Sequence, residues 1–134
     1  MNFQSCMEMI VNEWDIVAVR QLGRNVAKEL GFNTVDQARI TTAISELARN
    51  IFLHAGEGKM YIEKVLLNGK KGLKIIAVDE GPGMKDVRQA LEDGYSTSGG
   101  LGAGLPGVKR LMDEFEIDSD IDKGTVVTAI KWLR

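Results

Sequence analysis

The 134-residue chain has one cysteine, one histidine and no apolar run longer than a few residues. Each shortage closes off a class of protein. Cys6 alone cannot form an internal disulfide, and a lone thiol fits a reducing compartment. Cys6 and His54 together fall short of the donors a zinc or other soft-metal site needs. Any working metal is therefore expected to be a hard cation held mainly by oxygen, such as Mg²⁺. No stretch is long enough to span a membrane, and the N-terminus (MNFQSCMEMI) has neither a basic n-region nor a cleavage site. The expectation is a cytoplasmic protein. Basic charge is not concentrated either: the net charge is −2 with no Lys/Arg block, which leaves no electrostatic case for nucleic acid. At 44% hydrophobic residues the chain is expected to form a single domain, 1–134, with a substantial core.

What is abundant is glycine, and it is unevenly placed. Eight of the fifteen glycines fall between Asp79 and Gly107, in DEGPGMKDVRQALEDGYSTSGGLGAGLPG. The window opens with Asp79-x-Gly81-x-Gly83 after a β-branched run and closes with a glycine-rich stretch leading into a helical pattern. Glycine loses more backbone entropy on folding than any other residue, so such a cluster implies unusual backbone angles or close approach to a ligand. A glycine loop feeding a helix start presents unpaired N–H groups and the positive end of a dipole, which suits a phosphate.

The rest of the chain reads as alternating elements. Residues 5–12 predict a short strand, and helical spacing of Ile16, Val19, Leu22, Val26 and Leu30 predicts a helix over Asp15–Leu30 stopped by Gly31. Thr34-Val35-Asp36-Gln37 has the form of a capping box for a second helix running to His54. Residues 59–67 and 72–79 predict strands joined through Asn68-Gly69, a strong hairpin signal. A short helix is expected over Lys85–Glu92, another over Leu105–Phe115, then a closing hairpin from 115–121 and 125–133. Strand pairs mixed with helices argue an α+β two-layer sandwich, its helices on one face of a mixed, largely antiparallel sheet.

Two positions carry chemistry. In the second helix, Ile40, Ala43, Ile44, Leu47 and Ile51 form the core stripe. At about 100° per residue, Glu46 and Asn50 lie roughly 40° apart just off one edge of it. There they are expected to border a cleft, neither fully buried nor fully solvated. A carboxylate so placed suits a general base, and an amide oxygen one turn on can ligate Mg²⁺ without adding negative charge beside a polyphosphate. In strand 72–79, alternation sets Leu73, Ile75, Ala77 and Asp79 on one face, the more apolar one. A covered carboxylate needs donors, and the amino group of adenine would provide one. A solvated helix face for Glu46, or a turn-capping role for Asp79, remains the plainer reading of either residue alone.

Taken in order, Glu46-x-x-x-Asn50, Asp79-x-Gly81-x-Gly83, Gly100-x-Gly102-x-Gly104 and Gly124-Thr125 resemble the GHKL ATPase/kinase superfamily, over about Thr34 to Trp132. That resemblance implies a Bergerat fold holding ATP and Mg²⁺ between helices and sheet, under a lid. It implies that Asn50 ligates Mg²⁺, Asp79 reads adenine, and Gly81 and Gly83 shape the base pocket. Ser98, Gly100, Gly102, Ala103, Gly104 and Leu105 would wrap the phosphates, and Thr125 would support adenine. DQARITTAISELARNI, STSGGLGAGLPGVKRLMDEF and AIKWLR narrow the likeness to the small anti-sigma-factor serine/threonine kinases of stress signalling. In those kinases the base is the glutamate before the asparagine, here Glu46. The implied substrates are STAS-domain antagonist and co-antagonist proteins of the RsbS and RsbR types, and the implied partner after release is a PP2C-type phosphatase of the RsbU type. One departure stands out: Tyr95 to Leu105 contains no Lys or Arg, whereas related kinases carry a basic lid residue at the γ-phosphate. Ser96, Thr97, Ser98, backbone amides and Mg²⁺ must carry that load, or Lys109 or Arg110 must reach over, which implies slow turnover. An ATP-binding module acting by sequestration alone is the alternative from another class.

Overall fold

The computed structural model describes residues 5–81, 104–120 and 124–134. Five strands form one sheet: β1 (Ser5–Ile10), β2 (Gly58–Leu67), β3 (Lys70–Asp79), β4 (Glu114–Asp120) and β5 (Gly124–Trp132). Their order is β1-β2-β3-β5-β4, and every pairing is antiparallel, so the mixed sheet expected from sequence is wholly antiparallel among the described residues. Helices α1 (Glu13–Leu30) and α2 (Thr34–His54) pack on one another and on the sheet, and α3 (Leu105–Leu111) packs against α2. Alternation along the strands sends Met60, Ile62, Leu73, Ile75, Ala77, Val127 and Ala129 into the core beneath the helices.

The ends of these elements follow local chemistry. Asn12 caps α1: its side chain accepts from the Trp14 and Asp15 amides, and the Asp15 carboxylate returns a bond to the Asn12 amide. This reciprocal box starts α1 two residues before the expected Asp15. At the other end Gly31 takes the left-handed conformation, φ 97°, while the amides of Gly31 and Phe32 reach back to Lys28 and Ala27. α2 is capped by Asn33, not by Thr34 as its sequence suggested. The Asn33 side chain accepts from the Asp36 amide at 2.8 Å, and Gln37 donates to the Phe32 carbonyl. The β2–β3 turn is tighter than the four residues expected: Asn68 and Gly69, both at positive φ, close it alone.

α3 stops at Leu111, short of the expected Phe115. Met112 is already extended, and Phe115 pairs with Ala129 in the sheet. The Asp113 carboxylate accepts from the Trp132 amide at 2.7 Å and pairs with Lys131 and Arg134, which pins the chain to β5. These tertiary bonds outweigh a helical apolar pattern that continues past Leu111. The helix expected over Lys85–Glu92 lies outside the described residues. Among the described residues no helix is long and apolar enough to cross a membrane.

Candidate nucleotide site

β3 ends on its covered face, and that end carries the site's carboxylate. Leu73, Ile75 and Ala77 are buried, and Asp79 follows them at period two, half-buried. Its register partner on β5 is Thr125, which is also buried. The Gly81 amide donates to Asp79 Oδ1 at 3.0 Å, and the Thr125 amide donates to the same carboxylate. Burial pushes the Asp79 carboxyl above its ordinary value; the Gly81 and Thr125 amides and the charge of His54 oppose that push. The Thr125 hydroxyl is itself held, 2.7 Å from Ser119 Oγ.

Two glycines make this corner possible. Gly124 has φ 84°, and a Cβ there would stand 2.1 Å from the Asp79 carbonyl oxygen, so only glycine lets β5 start so close to the end of β3. At Gly81 a Cβ would meet the Ala55 Cβ at 2.6 Å, which brings the turn after Asp79 against the end of α2.

α2 passes over this corner. Ile40, Ala43, Ile44, Leu47 and Ile51 are all buried, as the stripe requires, and Asn50 is half-buried at the stripe's edge. Glu46 departs from expectation: it is 2% exposed, where a half-solvated position was anticipated. The helical wheel considers one face packed on a sheet, but α2 is flanked by α1 and α3 as well, so a wider arc of it is covered. Glu46 Oε1 lies 3.8 Å from the Arg49 guanidinium. His54, one turn beyond Asn50 and absent from the site residues expected from sequence, acts electrostatically on Asp79. The i, i+4 spacing from Asn50 was the signal for it.

Gly104 caps α3 at φ 66°, and Leu105 is buried behind it. Lys109 and Arg110 are exposed on that helix. Gly83, Ser98, Gly100, Gly102 and Ala103 lie outside the described residues. Among the described residues no group of three or more His, Cys, Asp or Glu side chains is placed to hold a metal. The half-buried Asn50 amide is a hard oxygen donor of the type Mg²⁺ accepts beside phosphate oxygens and water.

This architecture has known counterparts. The chain belongs to the histidine kinase-like ATPase domain family, whose sequence model matches residues 12–131. The expected Bergerat, GHKL-type layering of helices over one sheet is thereby borne out. Among individual relatives, the chain is 72% identical over all 134 residues to the serine/threonine-protein kinase RsbT of Bacillus subtilis, covering 100% of both chains. It is 34% identical over 101 residues to the anti-sigma F factor of Thermoanaerobacter sp., covering 72% of this chain and 70% of that one. A crystal structure of the RsbU and RsbW domains of Rv1364c from Mycobacterium tuberculosis superposes with a TM-score of 0.64 at 20% identity. The superposition covers 100% of this chain and 34% of that larger one, and it supports the fold alone.

Proposed function

We propose that the chain is an ATP- and Mg²⁺-dependent protein serine/threonine kinase of the RsbT type. Its substrates are STAS-domain antagonist and co-antagonist proteins of the RsbS and RsbR types, and on release it binds and activates a PP2C-type phosphatase of the RsbU type. The observation that carries the reading is the pairing of a covered, amide-held carboxylate at the end of β3 with Glu46 and Asn50 on α2. The full-length likeness to a serine/threonine kinase supports the reaction class.

In this reading Asp79 accepts from the exocyclic amine of adenine, held in place by the Gly81 and Thr125 amides. Gly81 and Gly83 shape the base pocket. Asn50 offers an amide oxygen to Mg²⁺, while Ser98, Gly100, Gly102, Ala103, Gly104 and Leu105 surround the phosphates. Bound Mg²⁺ supplies neutralisation of charge on the transferring phosphoryl group. Glu46 takes the proton from the acceptor hydroxyl as its oxygen bonds to the γ-phosphorus and the bond to ADP breaks.

The test is to incubate pure protein with γ-labelled ATP, Mg²⁺ and a STAS-domain acceptor. Phosphoserine or phosphothreonine is expected on the acceptor, and Glu46→Gln is expected to slow its formation by about 10²–10⁴ while ATP still binds. ATP binding with no transfer would leave a sequestering module instead.

A further inference from the structure

Three strands meet in one row beside the proposed base pocket. Asp79 on β3 is the register partner of Thr125 on β5, and Thr125 is the partner of Ser119 on β4. Thr125 continues the inward series of Val127 and Ala129, and residues directly opposite across a pairing share a face, so the whole row lies on the covered side of the sheet. Thr125 is buried and Ser119 half-buried, so neighbours within the protein set the direction of each hydroxyl.

A hydroxyl has one proton to give and lone pairs to offer. The Ser119 hydroxyl donates to the Gly124 carbonyl oxygen at 3.1 Å. With that proton spent, the 2.7 Å contact between the two hydroxyls runs one way, from Thr125 to Ser119 Oγ. Thr125 Oγ1 is left with lone pairs alone for whatever approaches it. The ionised Asp79 carboxylate is likewise acceptor-only, so both side chains at this end of the sheet require a donor. We propose that Ser119 is a positioning residue for base recognition: by taking the Thr125 proton it fixes that hydroxyl as an acceptor and keeps it from competing for Asp79. The assignment rests on the nucleotide reading above. The ligand chemistry it selects is a purine with an exocyclic amine, whose two protons can serve two acceptors. Without Ser119 the Thr125 hydroxyl turns toward the neighbouring carboxylate, the stronger acceptor, and Asp79 holds the amine less tightly.

Calorimetry with MgATP and with the Mg²⁺ complex of purine riboside triphosphate, which lacks only the amine, reads this role. Ser119→Ala is expected to weaken ATP by roughly three- to tenfold and purine riboside triphosphate by no more than about twofold. Ser119→Thr keeps a hydroxyl in a strand and should restore the parent preference. In a Thr125→Val background Ser119→Ala should change neither affinity, because no threonine proton is left to direct. Equal loss of both nucleotides in Ser119→Ala makes Ser119 a structural group and overturns the proposal. Unchanged ATP affinity also overturns it, as does a Ser119→Ala effect that survives in Thr125→Val. A parent protein that binds both nucleotides equally removes the role but leaves the pocket; one that binds neither removes the pocket reading as well.

Discussion

Replacing Asp79 by asparagine should separate nucleotide recognition from folding, because the carboxylate's two roles carry opposite signs. In binding, an ionised carboxylate facing the amino group of adenine makes a charge-assisted hydrogen bond. Such bonds contribute about 1.5–3 kcal/mol, equivalent to roughly ten- to 150-fold in affinity. The asparagine side chain keeps one acceptor oxygen, but the Gly81 and Thr125 amides already claim that corner, and its NH₂ then meets the adenine amine donor to donor. MgATP affinity is therefore expected to fall by at least about tenfold.

In folding the sign reverses. Burial raises the Asp79 carboxyl above the ordinary value of 3.8, so the folded state holds the proton more tightly than the unfolded chain. Between those two values the native state binds more protons. Its stability therefore drops as pH rises from below 3.8 through the folded value, and is flat beyond it. Asparagine does not titrate and escapes that loss. Urea unfolding of nucleotide-free protein should show Asp79→Asn at least as stable as the parent at neutral pH, its advantage growing across the acid window. Unchanged ATP affinity would refute the recognition role. Destabilisation of more than about 2 kcal/mol would refute the folding argument, making the carboxylate a structural keystone.

Glu46→Gln keeps the volume of a buried side chain, so ATP should still bind in calorimetry while phosphotransfer slows by about 10²–10⁴. Asn50→Ala should weaken ATP by about tenfold with Mg²⁺ present and much less in EDTA, since the amide's proposed partner is the metal. Gly124→Ala forces a Cβ against the Asp79 carbonyl at a positive φ; a loss of about 1–3 kcal/mol in urea unfolding is expected, with weaker ATP binding as Asp79 shifts. An alanine there that leaves both unchanged would show that β5 can retreat from β3 at no cost.

What could be read from sequence was whatever repeats at short range. Period-two alternation put Asp79 on the covered face because Leu73, Ile75 and Ala77 fix the phase of that strand without help from any other element. The 3.6-residue stripe of α2 was equally self-contained. The errors arise where a second element decides. Glu46 sits at a wheel angle that one sheet alone would leave half wet, yet it is buried on a helix that packs against α1 and α3 as well as the sheet. Asn33 and Thr34 are adjacent and both can cap, Asn the more readily, and the capping-box spacing from Thr34 to Gln37 does not show that Gln37 would turn back to Phe32. The stop of α3 at Leu111 depends on Asp113 meeting Trp132, a contact set by the β4–β5 register.

The pocket itself belongs to this second kind. Glycine density marked Asp79-x-Gly81 as a place of close approach but not what approaches. The answer is the start of β5 on one side and Ala55, at the end of α2, on the other. Both arrive through antiparallel pairing and helix packing between segments far apart in the chain. For that reason Thr125 and His54, neither persuasive in its own neighbourhood, become readable once the end of β3 is known. The carboxylate is held in a half-buried position by backbone amides from two separate strand ends, against the cost of desolvation. A corner built that way gains most when a ligand donor completes it, which ties the stability of this end of the sheet to the nucleotide it is proposed to recognise.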